Sequence, residues 1–360
     1  MKESTGESEG KVVFFGCPLD VDERDESIQE KMECTGRGFQ EDDPYTQVMR
    51  LIEREVEPER FETIGSLEIP SWLYPVPGPD ERDYINVDNF VAFMDQNKCR
   101  TFARMIGEHV VDDILPQIPC MIAVDHSLTG GVFERMASLY GSQEVSLIVL
   151  DSHTDALPMS VLSGAIGYDM DTNPESVHDP DDPFLKDRVD SFNASSFLYY
   201  LLEEGLVTPR NLYLIGVSDY PSKRSFRIKD PRIQRYVGLY SGLKKKGVNI
   251  LTKKDLQSGP SKVRAVLGGI KTSYIYVSVD MDIGAGNALE GVRFRNWKGI
   301  NEKQFYAVSG YLKEVLRGGV RLAGLDLTEF NPRRTGGPDR TYRIGANLIR
   351  RLCFDLEEVP

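Results

Sequence analysis

Three short polar clusters in the sequence contain side chains that bind metal ions in proteins. They are Asp125-His126, Asp151-Ser152-His153-Thr154-Asp155 and Asp280-Met281-Asp282. Imidazole and carboxylate ligands without a thiolate favour Mn²⁺, Co²⁺, Ni²⁺, Fe²⁺ or Zn²⁺. Six such ligands exceed the usual need of one ion, and with two bridging carboxylates they suit two ions roughly 3.5–4 Å apart. The sequence therefore predicts a metal site, and the set suited to a binuclear centre is His126, Asp151, His153, Asp155, Asp280 and Asp282.

Each cluster begins where an apolar, strand-like run ends, after Val124, Leu150 and Val279. In an extended segment, residues i, i+2 and i+4 point to the same side, so the side chains of one cluster can converge. The carboxyl ends of parallel strands share one edge of a sheet, where open α/β folds bind ligands. A single Asp-x-Asp after a strand is usually a loop or a helix cap. The coincidence of three clusters, which use two of only four histidines, points to a metal site.

Eight β-branched or apolar runs alternate with segments of helical period. The runs are Lys11–Gly16, Arg60–Gly65, Cys120–Val124, Val145–Leu150, Asn211–Val217, Gly247–Leu251, Ser273–Val279 and Val320–Leu327. Several are nearly continuous in apolar residues, which is typical of parallel strands covered by helices on both faces. Helices are predicted over Pro44–Glu55, Val87–Leu115 with a break near Asn97, Ser196–Leu206 and Glu302–Leu316 with Asn301 as N-cap.

This alternation predicts βαβ units with right-handed crossovers. We expect a three-layer α/β/α sandwich with a mainly parallel sheet of about eight strands. Because no linker or repeat interrupts the pattern, residues 11–360 are predicted to form a single domain after a disordered tail at residues 1–10.

Composition narrows the class of protein. The 43 Lys and Arg against 56 Asp and Glu give a formal charge of −13, which argues against nucleic acid or an anionic membrane as the main partner. No run of about 18 apolar residues predicts a membrane span. Five cysteines without a Cys-x-x-Cys pair fit a reducing compartment, so we expect a cytoplasmic protein.

The clusters resemble the motifs of the arginase/agmatinase (ureohydrolase) family, whose fold is shared with deacetylase-like enzymes. That family has Gly-Gly-Asp-His-Ser, Asp-Ala-His-x-Asp and Ser-x-Asp-x-Asp in this order, each after a strand. The corresponding segments here are Val124–Ser127, Asp151–Asp155 and Ser278–Asp282. Gly16–Asp20 and Glu329–Pro332 resemble flanking motifs after the first and last strands. The resemblance thus spans nearly the whole chain.

The resemblance implies two Mn²⁺, with other divalent ions as alternatives. His126 and Asp155 would bind one ion and His153 and Asp282 the other, with Asp151 and Asp280 bridging. Two cations lower the pKa of bound water, which supplies a nucleophile at neutral pH without serine or cysteine. Asp155 would act in proton transfer, and Glu329 would hold a substrate guanidinium through charge-assisted hydrogen bonds. The family's members are often oligomers, so a homo-oligomer is expected.

The chain departs from the family pattern near the expected substrate. Ala123 and Val124 replace two glycines, and residues 283–288 lack a further Asp and two prolines. Asn193 stands where the family has a histidine, and we expect it to contact the substrate. Unlike histidine, asparagine cannot carry a proton near neutral pH.

The segment from Asp169 to Asp190 contains eight acidic and two basic residues. It is either a solvated loop or a surface that attracts a cationic substrate. Our leading interpretation is a manganese ureohydrolase acting on a small cationic guanidino compound, with agmatine slightly favoured over arginine. The alternatives are hydrolysis of another linear amidine or amide, such as formiminoglutamate, and a metal-binding protein without turnover.

Overall fold

A computed structural model describes residues 10–35, 43–178, 185, 188–284, 289–295, 299–334 and 340–356. Most of the predicted N-terminal tail, residues 1–9, lies outside these ranges. In the described part, no helix combines the length and the apolar character needed to cross a bilayer.

All eight predicted strands are present and form one sheet in which every pairing is parallel. They are β1 (Val12–Cys17), β2 (Phe61–Ser66), β3 (Ile118–Ala123), β4 (Val145–Leu150), β5 (Leu212–Val217), β6 (Asn249–Thr252), β7 (Tyr274–Asp280) and β8 (Arg321–Thr328). Their order across the sheet is β2-β1-β3-β8-β7-β4-β5-β6. The four central strands β3, β8, β7 and β4 are those that carry the polar clusters and Glu329 at their carboxyl ends.

Twelve α-helices of the described part flank this sheet. They are α1 (Asp25–Cys34), α2 (Pro44–Glu55), α3 (Val87–Asp95), α4 (Lys98–His109), α5 (Leu128–Tyr140), α6 (Met159–Thr172), α7 (Phe197–Glu203), α8 (Pro231–Lys246), α9 (Lys253–Ser258), α10 (Pro260–Leu267), α11 (Glu302–Arg317) and α12 (Thr341–Ile349). The predicted break at Asn97 separates α3 from α4, and its φ of 60° interrupts the helix. Asn301 caps α11 and forms a capping box with Gln304, as its residue type indicates.

Two apolar cores lie on opposite faces of the sheet, which confirms the three-layer sandwich. Alternate residues of β1 show the division, because Val12 and Phe14 pack in one core and Val13 and Phe15 in the other. The first core contains residues of α2, α10, α11 and α12, and the second contains residues of α3, α4, α5 and α7. Strands buried on both faces explain the continuous apolar runs.

The close approach of α4 and α5 depends on Gly131. A Cβ at this position would lie 1.7 Å from the backbone oxygen of Ala103 in the facing helix. We therefore expect Gly131→Ala to lower the free energy of unfolding by about 3 kcal/mol or more, because two backbones must separate. Urea unfolding measures this change.

Gly238→Ala in α8 is the matched control. Nothing lies within 4 Å of the place that a Cβ at residue 238 would take, so this variant should stabilise the protein by up to about 1 kcal/mol. Equal stability of the two variants would contradict the described helix contact.

Candidate metal centre

The structure brings the six predicted metal ligands together at the carboxyl edge of the sheet. They form two overlapping groups in which one ligand atom from each residue lies within 4.8 Å of the others. The groups are His126, Asp151, Asp155 and Asp280, and Asp151, His153, Asp280 and Asp282. Asp151 and Asp280 belong to both groups, so they occupy the positions that bridging ligands would need.

His126 is fully buried, and its two ring nitrogens face different partners. Nδ1 lies 2.7 Å from Asp155 Oδ2 and 3.3 Å from Asp280 Oδ2. Nε2 lies 3.0 Å from Ser278 Oγ, and this hydroxyl donates to Asp326 Oδ1 over 2.6 Å. Because the Ser278 hydrogen is used on Asp326, the serine oxygen accepts from Nε2–H and the lone pair of Nδ1 faces the carboxylates. Metal-binding histidines are commonly oriented in this way.

A buried hydrogen-bond series behind His126 holds this orientation. Ser278 in β7 is paired in register with Asp326 in β8, and the Tyr276 hydroxyl donates to Asp326 Oδ2 over 2.6 Å. Burial raises the pKa of Asp326, while His126 and the hydroxyl donors oppose that rise. The sequence contained a signal for this series, since Asp326 is a lone acidic residue in an otherwise apolar stretch of β8.

His153 lies at the accessible side of the cluster. Its side chain is 34% exposed, whereas the other five side chains of the two groups are buried. Nδ1 lies 3.2 Å from Asp282 Oδ2, and Ser152 Oγ donates to the other oxygen of that carboxylate over 2.9 Å. A small molecule would therefore approach the cluster from the side of His153.

The charge and the unpartnered atoms of the cluster fit divalent cations. Among the described residues, His126 Nδ1 and Asp151 Oδ2 are buried side-chain atoms that make no hydrogen bond. Burial and the neighbouring Asp151 raise the pKa of Asp155 well above its usual range. Burial and Asp282 do the same to the pKa of Asp280. Four crowded carboxylates with only two imidazoles repel one another, and cations would relieve this repulsion.

Two residues at this edge have a backbone conformation that is rare outside glycine. Asp155 has a φ of 43° and Glu329 a φ of 63°. A positive φ costs a non-glycine residue about 1–3 kcal/mol and is concentrated at functional sites. The two strained positions are those predicted to act in proton transfer and in substrate binding.

Glu329 is paired with an arginine that sequence reasoning missed. Its Oε1 accepts a hydrogen bond from Arg293 Nη1 over 2.8 Å and one from the backbone N–H of His126 over 3.2 Å. Burial raises the pKa of Glu329 to about 7, and the Arg293 guanidinium opposes that rise. The carboxylate predicted to hold a substrate guanidinium is therefore already in contact with a guanidinium of the chain itself.

Asn193, the other residue predicted to contact the substrate, is buried in the turn before α7. Its Oδ1 accepts from the backbone N–H of Ser195 over 3.0 Å, and its Nδ2 donates to the Ser191 carbonyl over 3.3 Å. These bonds give the side chain a role in shaping the turn. Its contact with a substrate stays a prediction.

The acidic segment between Asp169 and Asp190 lies only partly in the described ranges, since Asp179, Asp181, Asp182 and Asp187 fall outside them. Asp171 pairs with Arg232 over 2.7 Å, and Asp190 accepts from the backbone N–H of Ser160 over 2.8 Å. Its role in attracting a substrate stays a prediction.

Comparisons with known proteins place this fold in a defined class. Similar solved structures include an arginase from Bacillus caldovelox, which is 15% identical in sequence. The two structures superpose with a TM-score of 0.60, and the alignment covers 98% of this chain and 100% of the arginase chain. They also include formimidoylglutamase from Bacillus subtilis (15% identity, TM-score 0.56, 95% and 86% coverage) and an agmatine ureohydrolase of Thermoplasma volcanium (17% identity, TM-score 0.55, 96% and 89% coverage). At these identities the similarity establishes the fold.

Family membership rests on the sequence. The model of the arginase family matches residues 78–354, so the chain belongs to the arginase family. No curated protein sequence matches the chain significantly. The family predicted from the polar clusters is therefore confirmed.

Proposed function

We propose that the chain is a binuclear metal-dependent hydrolase that cleaves a C–N bond of a linear amidine. The observation that carries this proposal is the overlap of two four-residue groups, which share Asp151 and Asp280. His126 and Asp155 would complete the site of one ion, and His153 and Asp282 the site of the other. Imidazole and carboxylate donors suit manganese, which we propose as the resident metal.

The chemistry divides between the ions and the protein. Two bound divalent ions would lower the pKa of a water molecule and polarise the reacting group. We assign proton transfer to Asp155, whose Oδ2 lies 2.7 Å from His126 Nδ1 and which belongs to only one of the two ligand groups. We propose that it transfers a proton to the leaving nitrogen.

Two substrate classes remain within this proposal. The agmatine ureohydrolase and the arginase among the similar structures favour a guanidino substrate and release of urea. The formimidoylglutamase favours a formimino group, and the contact between Arg293 and Glu329 favours the same class because it occupies one oxygen of the carboxylate predicted to bind a guanidinium.

The test is product release by the Mn²⁺-loaded protein. Urea is measured with agmatine, arginine, guanidinobutyrate and guanidine, and formamide with formiminoglutamate. We expect turnover of at least one compound, and Asp280→Asn should abolish it because this carboxylate belongs to both groups. A protein that binds two ions and releases neither product would instead be a metal-binding member of the family without turnover.

A further inference from the structure

Three carboxylates next to the metal cluster share one buried arginine. Arg293 Nη1 lies 2.8 Å from Glu329 Oε1 and 3.2 Å from Asp125 Oδ2, and its Nε lies 3.4 Å from Asp20 Oδ1. The Arg293 side chain is 6% exposed, and Nη2 donates to the Val21 carbonyl over 2.8 Å. A cationic substrate group would have to compete with this guanidinium for Glu329 Oε1.

The cavity beside the accessible edge of the cluster is lined mainly by cations. It has a volume of about 460 Å³, and four arginines line it together with two glutamates and one phenylalanine: Arg24, Arg293, Arg295, Arg334, Glu26, Glu30 and Phe294. The Phe294 ring lies with its centroid 5.4 Å from that of His153, and the Arg24 guanidinium lies 5.1 Å from the same phenylalanine ring. The cavity is therefore adjacent to the side from which a small molecule would approach the cluster, and its size suits such a molecule.

Arg295 is the lining cation that the chain leaves without a described partner. Arg24 pairs with Asp22, and Arg334 pairs with Glu30 over 2.6 Å. Within the described residues, Arg295 Nε is buried and makes no hydrogen bond. A buried N–H without an acceptor is unfavourable, and a carboxylate can accept hydrogen bonds from a guanidinium through both of its oxygens.

We propose that this cavity binds the carboxylate of the substrate, with Arg295 as the specificity-determining residue. The inference rests on the proposed hydrolase function and identifies its substrate class as an anionic amidine or amide. It replaces the cationic guanidino substrate predicted from the acidic segment. The Arg293–Glu329 contact competes with a cationic substrate head for Glu329 Oε1, and Arg295 would pair with an anionic substrate tail.

Calorimetric binding to the Mn²⁺-loaded protein tests the substrate class by affinity, because bound ions occupy the cluster carboxylates that could otherwise take up agmatine. Glutarate should bind to the wild type and agmatine should not, since the nearby carboxylates already share Arg293. Arg295→Gln should weaken glutarate binding about tenfold or more, because a charge-assisted pair is lost. Arg343→Gln is the matched control, since Arg343 is exposed and lines a different arginine-rich cavity of about 500 Å³, and it should bind glutarate like the wild type.

Three results would overturn the inference: tighter binding of agmatine than of glutarate, equal binding by Arg295→Gln and the wild type, or a preference for inorganic phosphate over glutarate. These results are distinct from failure of the hydrolase proposal. Glutarate binding that depends on Arg295 without any turnover would refute the activity and support the anion site. Hydrolysis of agmatine with a KM that Arg295→Gln leaves unchanged would support the hydrolase activity and refute the anion site.

Discussion

Asp151→Asn and Asp280→Asn should each remove both metal ions, whereas Asp155→Asn and Asp282→Asn should each remove only one. The reason is geometric, because Asp151 and Asp280 belong to both ligand groups and the other two carboxylates to one group each. Asp151 accepts a hydrogen bond from the backbone N–H of His153 over 2.7 Å, and Asp280 accepts one from that of Asp282 over 2.7 Å. Asparagine keeps an oxygen that can accept the same bond. The loop geometry should therefore persist while the bridging charge is lost.

Metal content after dialysis and calorimetric titration with Mn²⁺ measure this difference. We expect substitution of Asp151 or Asp280 to weaken the affinity for both ions more than about 100-fold. This exceeds the loss that is typical when a residue that only supports a metal ligand is replaced. Two tightly bound ions in Asp151→Asn or Asp280→Asn would contradict the bridging assignment.

The same variants should behave differently without metal. Burial and the neighbouring carboxylates raise the pKa of Asp280 in the folded protein, so ionisation at neutral pH opposes folding. Asp280→Asn removes that charge, and the ion-free variant should be at least as stable as the ion-free wild type. Added Mn²⁺ should raise the Tm of the wild type by mass action and leave that of Asp280→Asn unchanged. A variant that is unstable in both states would instead have a damaged fold.

The sheet and the convergence of the metal cluster could be predicted because both depend on local patterns. Each strand is a short apolar run, and the observed bounds differ from the predicted ones by at most two residues. The position of Asp151, His153 and Asp155 directly after β4 fixed the edge at which they lie. The parallel arrangement then placed Asp280 and His126 at the same edge.

The environment of Glu329 could not be predicted, because it depends on contacts between distant segments. Arg293 is one of 43 basic residues, and nothing in its local pattern distinguishes a buried arginine from a solvated one. Its partners Asp20, Asp125 and Glu329 come from three other parts of the chain. The turn around Asn193 shows the same limit. Its motif position predicts a substrate contact, which stays a prediction, but does not predict the hydrogen bonds that its side chain makes within the turn.

Arg293→Ala should lower the free energy of unfolding by about 3–5 kcal/mol, because it leaves buried carboxylates without their cation. Asp20 retains Lys31 at 3.3 Å, and Asp125 retains the backbone N–H of Ser127. Glu329 retains only the His126 N–H among the described hydrogen bonds, so it should account for much of the loss. Urea unfolding measures the change.

The double variant Arg293→Ala/Glu329→Gln separates charge from packing. If the unpaired Glu329 carboxylate dominates, the double variant should be more stable than Arg293→Ala alone. Arg264→Ala is the control for loss of an exposed ion pair, since Arg264 and its partner Glu314 are 64% and 49% exposed, and it should cost less than about 1 kcal/mol.

Guanidinium ion at low millimolar concentration should partly restore the Tm of Arg293→Ala, because it can occupy the space that the side chain leaves beside Glu329 and Asp125. Sodium chloride at the same ionic strength should not, since a planar donor is needed for paired hydrogen bonds. The wild type should show no such response, because Arg293 fills the position. A similar guanidinium response in both proteins would mean that Glu329 is accessible to a substrate guanidinium, and the site would then suit a cationic guanidino compound after all.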